Sequence, residues 1–505
     1  MMPSTKKYLR PFPWLAIAMV AVFLVSATLR FWGLSRFNTL VFDEVYYAKF
    51  ANNYLTQTQF FNAHPPLSQY IIAIAIWLGS HIPIDRDIVN GLTGSLHSVW
   101  SYRWLNALTG SFVPLVVGGI AYQLSDRRSY ALIAAIFATA DGLFLVESRY
   151  ALNNVYLVIL GLLGHWFLLL ALKTTGKKRY LWLTLAGTGF GASAAIKWNG
   201  LGFLLGAYLF WVVAWIVRWG TREHLAGSGE QGRTREKSQV ASRKSQVRNL
   251  LPLATSHQPL VTLPTPLEMA FYLGIIPVAV YSISWIPHLI LNPTPGFWEM
   301  QGHILLYHQR IGSGADVHPY CSRWYTWLLM LRPVAYFYKT TISPDEPVPV
   351  VGPPLPEAST NTIYDVHAMG NPLLWWFSTA AIFYAFWVVA RSAIASFSSR
   401  NNSVIGNAWI YLYFTLNWLA NLLPWMRVTR CTFLYHYMGA SVFAGLALAW
   451  IVDQWLRSYR KNLRILGVTA IFLILIAFVF WMPLYLGLPL SPEDYRWRMW
   501  LRSWV

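Results

Sequence analysis

Asp43 and Glu44 stand side by side, and His64 follows ahead of two prolines, all within NTLVFDEVYYAKFANNYLTQTQFFNAHPPLSQY, residues 38–70. A carboxylate beside an apolar phase suits general-base chemistry, because partial desolvation moves its pKa toward neutrality. The same acids have a second reading. The run EVYYAKFANNYLTQTQF puts Tyr47, Phe50, Ala51 and Tyr54 on one helical face, with Lys49, Asn52, Asn53 and Gln57 largely on the other. That pattern predicts an amphipathic helix resting on a membrane, with Asp43 at its N-cap and Glu44 in its first turn. Pro65 holds His64 extended and Pro66 suits a helix start, so His64 is either a turn residue or a site imidazole.

Cationic groups recur in four further stretches. VESRYALNN carries Glu147 and Arg149, AAIKWNG carries Lys197, PWMRVTRCTFLYHYMGA carries Arg427, Arg430, Tyr435 and His436, and HPYCSRWYTW carries His318 and Arg323. Each charge at a span end is either an interface anchor or a phosphate ligand. Gathered on one side, they would hold an anionic lipid phosphate while a carboxylate activates an acceptor hydroxyl.

The elements that must position these groups are membrane helices. Of 505 residues 56% are hydrophobic and only 12% charged, about half the charge of soluble domains, so the chain is an all-α polytopic membrane protein. The net charge of +19 is read as basic cytoplasmic loops, not as a nucleic-acid surface. Apolar runs lie near 13–33, 102–122, 129–147, 150–172, 180–197, 200–218, 268–289, 371–391, 404–424, 432–453 and 463–486. The first is read as an uncleaved helix, since its run is about span length and no small-residue cleavage site follows. A shorter run at 67–80 suits a re-entrant or interfacial segment. If it does not cross, the basic clusters from Lys6 through Arg127, Lys177, the 219–262 segment, Arg391 and Arg457 all fall inside. This gives about 11 spans and two long outer pieces, 34–101 and 290–370. The chain divides into residues 1–289, the outer loop 290–370 and a four-helix C-terminal module, 371–505. Two cysteines, Cys321 and Cys431, exclude a disulfide framework and leave their own pairing open. No zinc-type spacing or nucleotide loop is present, so no metal and no cofactor are expected.

The blocks FDEVYYAKFANNYLTQTQFFNAHPPL, VESRYALNN, AIKWNGL, HPYCSRWYTWLLMLRPV and RCTFLYHY resemble, in order, the signature blocks of protein O-mannosyltransferases. The resemblance implies a GT-C glycosyltransferase fold with outer juxtamembrane helices. It implies inverting transfer of mannose from polyprenyl-phosphate mannose to Ser or Thr hydroxyls of protein acceptors, outside the membrane. It makes Asp43 the base, gives Glu44 a role in positioning donor or acceptor, and assigns Arg149 to the donor phosphate. Lys197, Arg427 and Arg430 join the phosphate-binding set, with His64, His318, Arg323, Tyr435 and His436 as further site residues. Eukaryotic members carry a β-trefoil domain in the outer loop, for which 290–370 is too short. The pattern is therefore bacterial, placing the protein in the inner (plasma) membrane among its lipids with the site facing the periplasm. Two other readings remain. A GT-C transferase moving another lipid-linked sugar to a lipid or glycan shares the acidic pair and the PPL helix, and a transporter would need charges at mid-membrane.

Overall fold

The structure, a computed structural model, describes residues 14–227, 263–341, 361–398 and 408–505. Most of the basic 219–262 segment and the Pro-rich residues 342–360 lie outside them. The first half runs α1 (Trp14–Phe31), α2 (Glu44–Leu55), α3 (Leu67–Gly79), a hairpin of β1 (Val89–Leu92) and β2 (Ser95–Ser98), then α4 (Val99–Ser125), α5 (Arg128–Thr139), α6 (Gly142–Glu147), α7 (Asn154–Leu172), α8 (Gly176–Ala194) and α9 (Leu201–Gly227). There follow α10 (Pro266–Leu291) and α11 (Phe297–Arg310), then the antiparallel strands β3 (Val334–Thr341) and β4 (Thr362–Ala368). The last helices are α12 (Pro372–Ser398), α13 (Ala408–Leu422), α14 (Met438–Leu456), α15 (Lys461–Leu486) and the short α16 (Pro492–Arg498).

Each of the eleven expected segments contains helix among its described residues. Among the described residues, eight helices are long and apolar enough to cross a bilayer, and three of the expected segments fall short for identifiable reasons. The run at 129–147 is broken in two because Asp141 caps α6, accepting from the amides of Leu143 and Phe144 at 2.9 and 3.4 Å. Helix α8 opens on the basic GKKR, whose Arg179 pairs with Glu268. Helix α13 ends after 15 residues, where Pro424 follows in a tighter turn. Helices α4, α7 and α14 form the interior, while most of the α1 surface faces outward. Close packing of α7 on α8 depends on glycine: a Cβ on Gly189 would meet the Gly164 backbone at 2.9 Å.

Helix α3, at 13 residues, spans about 20 Å, less than the hydrocarbon core. Both its ends lie at one end of the bundle. The Leu67 amide bonds the Ala195 carbonyl where α8 finishes, and Gly79 abuts Ser101 where α4 begins. The segment therefore rests along the bundle. We expect Arg86→Cys to react with an impermeant maleimide from the same side as Thr58→Cys and opposite to Tyr459→Cys. Arg86 reacting from the side opposite to Thr58 would make α3 a span and invert every later loop.

Candidate active site

At the end of the bundle where α3 lies, a cavity of about 870 Å³ opens between α2, α9, α11 and the segment between α13 and α14. Its walls show how differently the two adjacent acids are used. The Glu44 carboxylate is sealed from solvent and accepts four hydrogen bonds, from the Val41 and Ala151 amides at 2.8 Å each and from Arg103 Nε and Nη2 at 2.8 and 2.7 Å. Arg103 also donates to the carbonyls of Leu34, Phe37 and Thr39. Glu44 therefore fastens the chain that leads into α2, and it does not line the cavity. Any part it has in positioning donor or acceptor runs through that chain and not through direct contact in the cavity.

Asp43 does line the cavity. Its backbone occupies the N-cap position, yet its side chain caps nothing and accepts no hydrogen bond among the described residues. The capping reading therefore fails, and the carboxylate is left open to a ligand. The residue before it, Phe42, adopts a φ of 53°, a costly region for a bulky side chain, while its ring stacks on Tyr336 at 4.1 Å. Burial pushes the Asp43 carboxyl up to about 6, against the pull of the Lys197 charge.

Lys197 leaves α8 in extended conformation and points into the same cavity. Its Nζ donates to Asn154 Oδ1 at 3.2 Å and lies 5.4 and 5.8 Å from the ring centroids of Tyr435 and Tyr47. Asn154 Nδ2 in turn donates to Glu147 Oε2 at 3.1 Å, and the Tyr336 hydroxyl donates to Glu147 Oε1. Burial lowers the Lys197 pKa below the ordinary lysine value, with the Asp43 and Glu147 carboxylates opposing it. Arg430 presents the second cation. It donates to the Cys431 carbonyl at 3.0 Å, and no carboxylate lies within ion-pair distance of it among the described residues. A buried lysine and a half-buried arginine without a dedicated counter-ion form an anion site.

Neutral groups complete the wall. His64 and His308 stand with ring centroids 5.1 Å apart, and His308 Nε2 donates to the Ala63 carbonyl at 3.0 Å. Burial, together with the charges of Lys197 and Arg430, pushes His308 down to about 4 and His64 well below its usual value. Both are thus neutral hydrogen-bonding groups at physiological pH. Tyr435 and His436 line the cavity as expected; His436 Nδ1 accepts from the Phe433 amide at 3.1 Å, and Trp425 packs on the ring. One flank is apolar, with Leu201, Leu205 and Leu305 all substantially exposed on the outside of the bundle.

Besides Glu44, four expected site residues stand elsewhere. Arg149 is buried, and its guanidinium donates to the carbonyls of Leu29, Arg30, Trp32 and Gly33 at 2.8–3.0 Å. It closes the C-terminal end of α1 instead of facing the cavity, because those carbonyls have no partner within the helix. Arg427 and Arg323 are exposed and do not line the cavity, and His318 packs edge-on against Phe433 at 4.9 Å outside it. Conversely, Tyr47, His308 and Trp425 line the site without having been singled out as site residues. For His308 the signal was the amphipathic FWEMQGHILLYHQR, whose last turn carries it. Cys321 and Cys431 form a disulfide, and the Ser322 amide bonds the Thr432 carbonyl at 2.8 Å. These links tie the 290–370 loop to the stretch of chain that carries Arg430.

Comparison with known proteins places these features in a lineage. Residues 20–258 match the family model for dolichyl-phosphate-mannose-protein mannosyltransferase, and 293–504 match that for the C-terminal four-helix membrane region of protein O-mannosyltransferase. Polyprenol-phosphate-mannose–protein mannosyltransferase of Mycolicibacterium smegmatis is 24% identical over 509 residues, covering 92% of this chain and 88% of its own. The enzyme of the same name from Corynebacterium glutamicum is 24% identical over 560 residues, covering 96% and 92%. The S. cerevisiae Pmt1-Pmt2 complex bound to the sugar donor superposes with a TM-score of 0.74 at 14% identity, over 98% of this chain and 93% of that one.

Proposed function

The chain belongs to the protein O-mannosyltransferase family, and from that premise we propose that it transfers mannose from polyprenyl-phosphate mannose to Ser or Thr hydroxyls of proteins at the outer face of the membrane. The observation that carries this reading is the partnerless Asp43 carboxylate facing the same cavity as Lys197 and Arg430. Asp43 takes the proton of the acceptor hydroxyl as that oxygen attacks C1 of mannose. The C1–phosphate bond breaks on the opposite face, which inverts the anomeric centre. Polyprenyl phosphate leaves as a dianion, and Lys197 and Arg430 stabilise the charge that develops on it. The apolar flank at Leu201, Leu205 and Leu305 takes the lipid chain. In this arrangement residues 1–289 supply the base and Lys197, the outer loop 290–370 supplies His308, and residues 371–505 supply Arg430.

Two observations support a periplasmic site in the plasma membrane. The cysteines beside Arg430 are joined, as suits an oxidising compartment. Lys173, Lys177, Arg127 and Arg457 lie at the opposite end of the bundle, as cytoplasmic loops favour. The test of function is purified protein incubated with several polyprenyl-phosphate sugars and a Ser/Thr-rich peptide, read by mass spectrometry. A single added hexose from the mannose donor is expected, and no peptide product from any donor would refute the reading.

Arg430→Ala should weaken donor binding by roughly 10- to 150-fold, the equivalent of one charge-assisted phosphate contact. Arg430→Lys should recover only part, because the two-pronged fork is lost. The donor KM reports it, and an unchanged KM in both variants removes Arg430 from the phosphate site.

A further inference from the structure

We propose that Tyr336, on β3 of the outer loop, is a positioning residue that holds the base and the phosphate-binding lysine in one fixed arrangement through its ring and its hydroxyl separately. The inference rests on the function proposed above. Tyr336 is buried and does not line the cavity. Its ring lies nearly parallel to that of Phe42, with an interplanar angle of 5°, and Phe42 precedes Asp43 directly. The positive φ at Phe42 is a conformation that a phenylalanine holds only when its surroundings impose it. Besides Tyr336, the rings of Phe433 and Tyr435 meet Phe42 edge-on at 6.2 and 6.1 Å. The stack is thus the closest ring contact that keeps the backbone turned so that Asp43 opens into the cavity.

The hydroxyl acts on the other partner. It donates to Glu147, whose second oxygen takes Asn154, whose own oxygen takes Lys197 Nζ. Every member of this chain is buried. A carboxylate charge kept in place by two donors stabilises the ammonium two bonds away. Remove one donor and the hold on the Lys197 charge weakens. Because β3 pairs with β4 and so belongs to the outer loop, that loop reaches both halves of the reaction centre at one residue.

Two variants separate the two contacts. Tyr336→Phe keeps the ring stack and deletes the hydroxyl. We expect the donor KM to rise about 10-fold with kcat little changed, and the alkaline limb of kcat/KM to move to lower pH as Lys197 loses its proton sooner. Tyr336→Leu deletes both contacts, and kcat should fall about 100-fold as well, since the base is no longer aimed. Binding of polyprenyl phosphate, measured alongside without any sugar transfer, should weaken in both. Tyr336→Phe with wild-type donor KM and an unmoved alkaline limb overturns the inference, and so does Tyr336→Leu with the kcat of Tyr336→Phe. A wild-type protein that transfers no mannose refutes the proposed function instead. Should Tyr336→Leu fail to fold, Tyr336→Phe decides the hydroxyl's part and Phe42→Leu, which removes the stack from the other side, decides the ring's, an unchanged kcat there overturning it.

Discussion

Asp43→Asn should lower transfer by roughly 10²–10⁴-fold, the share of rate that general-base catalysis supplies, while the protein inserts, purifies and binds polyprenyl-phosphate mannose. The substitution preserves shape and removes only the ability to take a proton. It would also preserve a helix cap, since Asn caps about as well as Asp, but the Asp43 side chain caps nothing here. Stability should therefore be unchanged or slightly higher, because a carboxylate half-buried without a partner costs free energy in the folded protein. The pH profile gives a second readout. Only the deprotonated carboxylate can act as base, so kcat/KM of the native enzyme should climb as pH rises through about 6. Residual activity of Asp43→Asn should lack that limb. Near-native turnover at saturating donor, or persistence of the limb, would show that another group accepts the proton.

The neighbouring substitution should have the opposite character. Glu44→Gln is expected to destabilise the fold by about 3–5 kcal/mol, the cost of leaving one partner of a buried ion pair without the other. The four groups around Glu44 are all donors, so a Gln amide nitrogen has no acceptor to meet and confronts one of them. Arg103→Ala should cost a similar amount, and the loop 34–41, whose carbonyls Arg103 gathers, should become accessible to protease. Unfolding midpoints of the two single variants and the double variant measure it, the double falling short of the sum because the two residues share one interaction. If Glu44→Gln unfolds like the native protein yet loses transfer, Glu44 acts in the chemistry and not in the scaffold.

Local pattern carried a great deal of this protein. Runs of apolar residues marked every long helix, because a span must be apolar along its whole length to lie in hydrocarbon. The distribution of Lys and Arg marked α3 as a segment that does not cross, and the packing of both its ends at one end of the bundle agrees. Asp43, His64, Lys197, Arg430, Tyr435 and His436 were all legible as chemical groups from their types and their place at span ends, and the fold collects them around one cavity. The strands were not legible as such. β1 and β2 are four residues each around a Thr93-Gly94 turn, and β3 and β4 find each other across 20 intervening residues.

Only tertiary structure could decide between residues of the same type. Asp43 and Glu44 are adjacent acids with the same local signals. What separates them is Arg103, 59 positions away from Glu44, and the Ala151 amide, 107 positions away. Arg149 has the composition of a phosphate ligand, yet the carbonyls at the end of α1 come within reach first. Cys321 and Cys431 could be counted but not paired until 110 positions of chain were folded between them. Helical periodicity and hydropathy are properties of a window a few turns long, so a sequence displays them directly. Which side chain is left without a partner is a property of everything that packs around it, and that is settled only when distant segments meet.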